Sequence, residues 1–392
     1  MSKRKRLLWV RLVRLASVLA TLLALLVAVL LLGRQVLFQG PYRPPTALPG
    51  RVVVDVHTHL AGIGAGDSGC FISPALRSNF RFRIYLDAFG ATEAELREQG
   101  DALILRRISD QVGQSRHVAA AVVLALDGVV DAGGHLDTNR TEVYIPNDFV
   151  AREVARHTNL LFCASINPHR ADALERLDRA VADGAVLLKW IPSIMQIDPA
   201  DSAFIPFYRR LQQHHLPLLT HTGVERSFTT AEDSLADPER LRLPLEQGVV
   251  VIAAHVGAPG PDGGDRNFDT LRRLMREFPN LHADISALTQ VNRLGRLREA
   301  LAAPEFQGRL VYGSDFPLIN TALVSPWFFP LNLTERQRSE IAALDNPWDR
   351  DVALKQALGV PPEIFTRGRE LLRLPAAPAV PNAPPSQSSS PQ

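Results

Sequence analysis

In the stretch RVVVDVHTHL, residues 51–60, a β-branched apolar run leads into two histidines one residue apart, His57 and His59. Alternate residues of a strand share a face, so Asp55, His57 and His59 are expected on one side. Two neutral imidazoles on one face can converge on a divalent ion, because imidazole nitrogen is a ligand for zinc and similar metals. The same pairing of apolar run and polar end recurs along the chain. LPLLTHT carries His221, VVVIAAHVG carries His255, RLVYGSDFP carries Asp315 and AVLLKWIP carries Lys189. A lone strand-end histidine is usually a bonded structural residue. Four histidines and an aspartate, each closing an apolar run, point to a metal site.

Such residues converge only if the runs lie side by side. Eight runs read as strands: 51–57, 118–128, 160–168, 185–192, 216–222, 249–257, 281–288 and 309–317. Between them lie segments such as NDFVAREVARHT, DALERLDRAVADG and FDTLRRLMREFP, whose apolar residues recur at helical spacing with Asp or Asn near the start. Apolar strands alternating with amphipathic helices predict parallel strands covered by helices. Eight such units predict a (β/α)8 TIM barrel, with chemistry at the C-terminal strand ends. The alternative, a doubly wound open sheet, normally carries a Gly-rich first turn, and this chain has histidines there. The connection 61–117 is long enough to form a lid over the barrel mouth. Helices expected at 334–345, 350–358 and 361–373 would complete the shell.

Taken in order, DVHTH, LLTHTG, AAHVG and YGSDFP resemble the metal-dependent amidohydrolase superfamily. IPNDFVAREVARH and FCASINPHR look most like its amidohydrolase-related branch (amidohydrolase 2), which includes decarboxylases of the aminocarboxymuconate-semialdehyde type. The resemblance covers residues 51–373. It implies a divalent metal, with zinc expected, held by His57, His59, His221 and Asp315. It also places His255 beside the attacking water. Asp315 would accept that water's proton and deliver it to the leaving group, and His255 would orient the water or stabilise the developing oxyanion. In some superfamily members a carboxylated strand-four lysine bridges two ions, which would bring in Lys189 and His255. Only a deprotonated amine can be carboxylated, and burial favours that form of a lysine. The competing reading of Lys189 is a cation that binds a substrate carboxylate or pairs with an acid, so one ion or two remain open. Asp55 is expected to orient a ligand histidine. Asp284 and Ser286 share a face and read mainly as core hydrogen-bonding residues. His214 and His215 read as solvated, and GAPGPDGGDRN (257–267) as a loop at the rim.

Charge is unevenly spread over the 392 residues, which hold 43 basic and 41 acidic side chains. Residues 1–14 carry six basic groups and no acid, leaving 37 basic against 41 acidic groups beyond them. A mildly acidic body gives no electrostatic reason to expect nucleic-acid binding. Cys70 and Cys163 are too few for a disulfide framework. Leu15–Leu32 is an uncharged run of 18 residues, close to the ~20 that span a bilayer core. The basic cluster before it favours a cytoplasmic N-terminus, and no small-residue cleavage site follows. These features predict a basic segment (1–14), an uncleaved transmembrane anchor (15–32), a Pro-containing linker (33–50), the barrel (51–373) and a disordered Pro/Ser-rich tail (374–392). The barrel would face the periplasm or cell exterior. A cleaved signal is the rival for 15–32.

The activity these features predict is metal-dependent hydrolysis of an amide, lactone or related bond in a small molecule. Decarboxylation at the same metal site is the nearest enzymatic alternative. A membrane-anchored binding or scaffold barrel is the non-enzyme alternative, and the intact ligand set argues against it. No nucleophile elbow or phosphate-cradling loop occurs in the sequence. Oligomeric state is not legible in it.

Overall fold

The computed structural model describes residues 3–38, 48, 50–257 and 265–375. All eight expected strands form: β1 (Val53–Thr58), β2 (Val118–Leu124), β3 (Leu160–Ala164), β4 (Leu187–Trp190), β5 (Leu218–Thr220), β6 (Val251–Ala253), β7 (Leu281–Asp284) and β8 (Leu310–Val311). They pair in parallel in chain order. The sheet then rounds back on itself. Beyond β8, Asp315 N donates to His57 O at 2.9 Å and His59 N donates to Phe316 O at 2.8 Å, with a parallel bridge between Thr58 and Phe316.

The apolar strand runs are explained by burial on both faces. Val54, Val56, Val122, Leu187, Leu219 and Ile252 belong to the cluster that fills the barrel, closed below by Leu372. Their neighbours Val53, Val123, Leu188, Leu218 and Leu281 belong to the larger cluster shared with the helices. Truncating one such interior side chain, Leu219→Ala for example, costs about 2–5 kcal/mol through lost burial and the cavity left behind. Helix Ala173–Ala182 shows the matching pattern, burying Ala173, Leu177 and Ala180 at spacings of four and three.

After β8 come helices Glu335–Ala342, Pro347–Ala357 and Pro362–Leu371. The second begins at Asn346, whose side chain accepts from the amides of Trp348 and Asp349. That cap sets Trp348 against Phe316, with ring centroids 4.5 Å apart, and aims its Nε1 at Asp55 Oδ2, 2.7 Å away. Lys355 Nζ, two turns further along, donates to Gly313 O at 3.0 Å. One helix therefore braces the two strand ends that carry His57 and Asp315.

The connection 61–117 is more ordered than a simple lid loop. It holds helices Pro74–Ser78, Phe80–Ala88, Glu93–Gln99 and Ala102–Gln114, of which the last belongs to the barrel shell. Phe71–Ile72 pairs antiparallel with Val143–Tyr144 across the mouth.

At the N-terminus one helix runs from Lys3 to Phe38, extending the expected 15–32 in both directions. Lys and Arg are good helix formers and no proline occurs before Pro41, so nothing stops the helix at either edge of the apolar run. Arg11–Leu32 has a mean hydropathy of 2.9 and is long enough to cross a bilayer, a test that a signal sequence also passes. Most of the expected linker and nearly all of the expected tail lie outside the described residues, as does most of the 257–267 loop.

Candidate metal centre at the barrel mouth

Strand alternation raises polar side chains directly above the apolar barrel filling. Lys189 stands two residues past Leu187, and His221 two past Leu219. His255 and Asp315 arrive differently. Each follows its strand in the left-handed region, at φ 59° and φ 64°, a conformation costly for residues with a Cβ and characteristic of functional turns. On β1 the pairing with β2 is irregular between Asp55 and Thr58. Gly313 lies opposite: a Cβ built there would sit 2.9 Å from His57 Cβ, so only glycine lets the histidine pack.

His57 is the hub. Its Nδ1 lies 2.7 Å from Asp284 Oδ2, and its Nε2 lies 3.2 Å from His59 Nε2 and 3.1 Å from Lys189 Nζ. Asp315 Oδ1 is 3.2 Å from His59 Nε2 and 3.6 Å from His57 Nε2. Ser286 Oγ meets His255 Nδ1 at 2.8 Å and also bonds Asp284 Oδ1, which accepts the His255 amide at 2.8 Å. His221 Nδ1 faces Glu225 Oε2 at 3.6 Å, while its buried Nε2 has no hydrogen-bond partner among the described residues.

Burial sets the protonation states. It lowers the pKa of His57 to about 4, with the Lys189 charge acting in the same direction. It also lowers His221 and His255, so these imidazoles are neutral at pH 7. Burial lowers Lys189 from its ordinary value as well. For the carboxylates burial acts the other way and is outweighed. His255, His59 and His57 hold Asp315 below the usual range, and His57, His255 and Ser286 do the same for Asp284.

A 330 Å³ cavity opens above this cluster. His59, Lys189, His221, His255 and Asp315 line it, and His57 lies just beneath through its contacts with His59 and Lys189. The roof comes from the 61–117 segment, with Phe82, Leu86 and Phe89 among its residues.

Two expectations change. Asp55 does not orient a histidine ring. Its carboxylate accepts from the His57 amide at 3.0 Å, from Ser314 N and Oγ, and from Trp348 Nε1, so it ties strand ends together. The irregular register after Asp55 breaks the strict alternation that placed it with the histidines. Asp284, expected mainly in core hydrogen bonding, is the residue that holds His57. Both carboxylates sit near strand ends, and only the closure of the barrel separates their roles. His214 pairs with Asp178 at 2.7 Å, away from the mouth. Glu225, Gln290 and Arg293 also line the cavity and carried no signal, since they lie in loops beyond the strands.

No curated protein matches the chain significantly. Among solved structures, a candidate 2-pyrone-4,6-dicarboxylic acid hydrolase from Pseudomonas putida is 17% identical with a TM-score of 0.48, the match covering 82% of this chain and 97% of that one. A 5-carboxyvanillate decarboxylase from Sphingomonas paucimobilis is 12% identical with a TM-score of 0.44, covering 82% and 99%. Another such decarboxylase, from Novosphingobium aromaticivorans with bound manganese, is 11% identical with a TM-score of 0.44, covering 83% and 97%. The family model described as Amidohydrolase matches residues 54–353, from β1 into the helix that braces it, and the chain belongs to that family.

Proposed function

We propose that the protein is a metal-dependent hydrolase that cleaves an amide, lactone or related bond of a small molecule. The observation that carries this reading is the donor set at the mouth. His57 Nε2, His59 Nε2 and Asp315 Oδ1 lie 3.2, 3.2 and 3.6 Å apart, and His221 adds a buried Nε2 with no partner among the described residues. Ligands in tetrahedral array at ~2.0–2.1 Å from an ion stand about 3.3–3.4 Å from one another. The residues therefore fit a divalent cation, and zinc is the expected one.

A bound cation of this kind supplies Lewis acidity, polarising a carbonyl and acidifying a water. The chain's own residues do the rest. Asp284 accepts the Nδ1 proton of His57, which leaves the Nε2 lone pair facing His59 and Asp315. Asp315, ionised at neutral pH, takes the proton of the attacking water on a carboxylate oxygen and passes it to the leaving group. His255 donates through Nδ1 to Ser286 Oγ, whose own proton goes to Asp284, so its Nε2 is left as an acceptor that can orient the attacking water. The apolar roof limits bulk water. Lys189, depressed by burial and beside His57 Nε2, is the residue that a second ion would share, together with His255.

The apolar N-terminal helix is part of the same proposal. It would hold the enzyme in a membrane with the basic N-terminus inside and the barrel on the outer side. Metal analysis of the full chain purified in detergent tests the central claim. One or two divalent ions per chain are expected, and His57→Ala combined with His59→Ala should lose ion and activity together. A wild-type content near zero after growth in metal-supplemented medium would falsify it.

A further inference from the structure

Outside the N-terminal helix, the described residues leave six large apolar side chains exposed: Phe80, Ile84, Val291, Leu323, Trp327 and Leu331. All six come from segments that follow β1, β7 and β8 at the mouth of the barrel. Hydrogen bonds gather these segments into one rim. Val291 N donates to Leu323 O at 2.9 Å, Gln290 bridges antiparallel to Val324, and Asn320 Nδ2 donates to Ala88 O at 2.9 Å. Single exposed apolar residues are ordinary on a protein surface, whereas a grouped set marks a place of interaction.

The chemistry of the rim fits a lipid surface. From Phe316 to Thr334 no residue is charged, although charged residues make up 21% of the chain. Leu323, Trp327 and Leu331 stand out from that run. Helix Phe80–Ala88 is divided between two surroundings. Phe82 and Leu86 turn into the cavity, while Phe80 and Ile84, one turn apart, face outward with Arg83 between them. Each exposed aromatic carries a guanidinium: that of Arg81 lies 5.8 Å from the Phe80 ring centroid, and that of Arg338 lies 5.1 Å from the Trp327 centroid. Apolar tips flanked by arginines suit the headgroup boundary, where the rings enter the edge of the acyl layer and the cations meet phosphate.

The length of the chain before β1 puts a bilayer within reach of this rim. The candidate span ends at Leu32 and its helix continues to Phe38, about 9 Å further. The residues from Phe38 to Leu48 can extend about 35 Å at most. Leu48 packs at the N-terminal end of the barrel with Val53 and Val118, where Arg51 Nη2 donates to Val112 O and Val118 O. From that end to the rim is about 30 Å, made of about 20 Å for β1 and about 10 Å for the helix above it. The mouth can therefore turn onto the bilayer, and tethering raises the effective concentration enough for a small contact to stay occupied.

We propose that the rim formed by helix Phe80–Ala88 and the loops after β7 and β8 docks on the lipid bilayer that holds the N-terminal helix. The proposal rests on the membrane anchoring proposed above. Leu323 belongs both to the rim and to the cavity wall, so a docked mouth opens the cavity towards lipid rather than bulk water.

The test uses the full chain in nanodiscs of phosphatidylethanolamine with a minority of phosphatidylglycerol. A nitroxide is attached to Phe80→Cys, to Trp327→Cys or, at the opposite end of the barrel, to Asp183→Cys; both native cysteines are buried and do not compete for the label. Collision rates with oxygen and with a water-soluble nickel chelate give the depth of each label. Labels at positions 80 and 327 should lie about 5–10 Å inside the headgroup boundary, and the label at position 183 should stay in water. Adding Phe80→Ser, Ile84→Ser and Leu331→Ser to the Trp327→Cys chain should return its label to water, with the melting temperature unchanged because these side chains are exposed. Rim labels as open to the nickel chelate as the label at position 183 overturn the docking, as does a depth at position 327 that the three substitutions leave unchanged. A rim shielded from both collision partners, with spin–spin coupling between two copies, overturns it in favour of a second copy of the chain. A chain recovered with a new N-terminus near residue 33 sinks the anchor separately. The same labels are then read on that chain with added nanodiscs, and their depth decides the docking by itself.

Discussion

His57 Nδ1 and Asp284 Oδ2 stand 2.7 Å apart, both fully buried, joining the first barrel strand to the seventh. This contact fixes the tautomer of His57, since the proton on Nδ1 is held by the carboxylate and Nε2 is left as a lone pair. Asp284→Asn should weaken metal retention by about 10–100-fold, the usual effect of removing such an orienting carboxylate. Competition against a chelator measures it. Unchanged affinity would show that His57 does not depend on Asp284.

Trp348→Phe should preserve the stacking on Phe316 but leave Asp55 Oδ2 short of a donor. A buried acceptor that loses its partner costs about 1–3 kcal/mol. Denaturant unfolding reads that loss. A shift below a few tenths of a kcal/mol would mean that the remaining donors satisfy the carboxylate.

Stability of the metal-free protein should fall as pH drops from about 6.5 towards about 4. His57 and His282 are both held down to about 4 in the fold, chiefly by burial, from an ordinary value of 6.5. The unfolded chain therefore takes up protons first, and the stabilisation is fully present above 6.5 and lost progressively down to 4. His282 lies outside the metal cluster and has a buried Nδ1 with no partner among the described residues. His282→Leu should flatten the decline in melting temperature across that window, and an equally steep decline would remove His282 from the account.

Hydrolysis and decarboxylation share the proposed metal site but differ in the fate of solvent oxygen. With a substrate in hand, turnover in ¹⁸O-labelled water should place label in the product. Unlabelled product with an equal amount of carbon dioxide would assign the decarboxylase reaction instead.

Six basic residues precede the apolar run, so a reporter active only outside the cytoplasm and fused after Gln392 should work, while one active only inside should fail. Soluble protein with a new N-terminus near residue 33 would replace the anchor with a cleaved signal. The reverse reporter pattern would reject the topology.

The sequence by itself determined the eight strands, their parallel pairing, the shell helices and the strand-end residues His57, His59, Lys189, His221, His255 and Asp315. These are local properties: continuous apolar runs, helical periodicity and polar residues just past a buried strand are written in adjacent positions. Tertiary structure alone decided the partners. Asp55 and Asp284 look alike in sequence, yet closing the barrel gives one to Trp348 and Ser314 and the other to the ring of His57. Gly313 acquires its role only because β8 comes to lie against β1. Arg293 and Gln290 sit in an irregular turn with no periodicity to announce them, and folding buries their donors beside a cavity with no acceptor among the described residues. Strand pattern follows from which faces are buried, whereas the satisfaction of a charge or hydrogen bond depends on residues more than two hundred positions away in the chain, which only the closed barrel brings together.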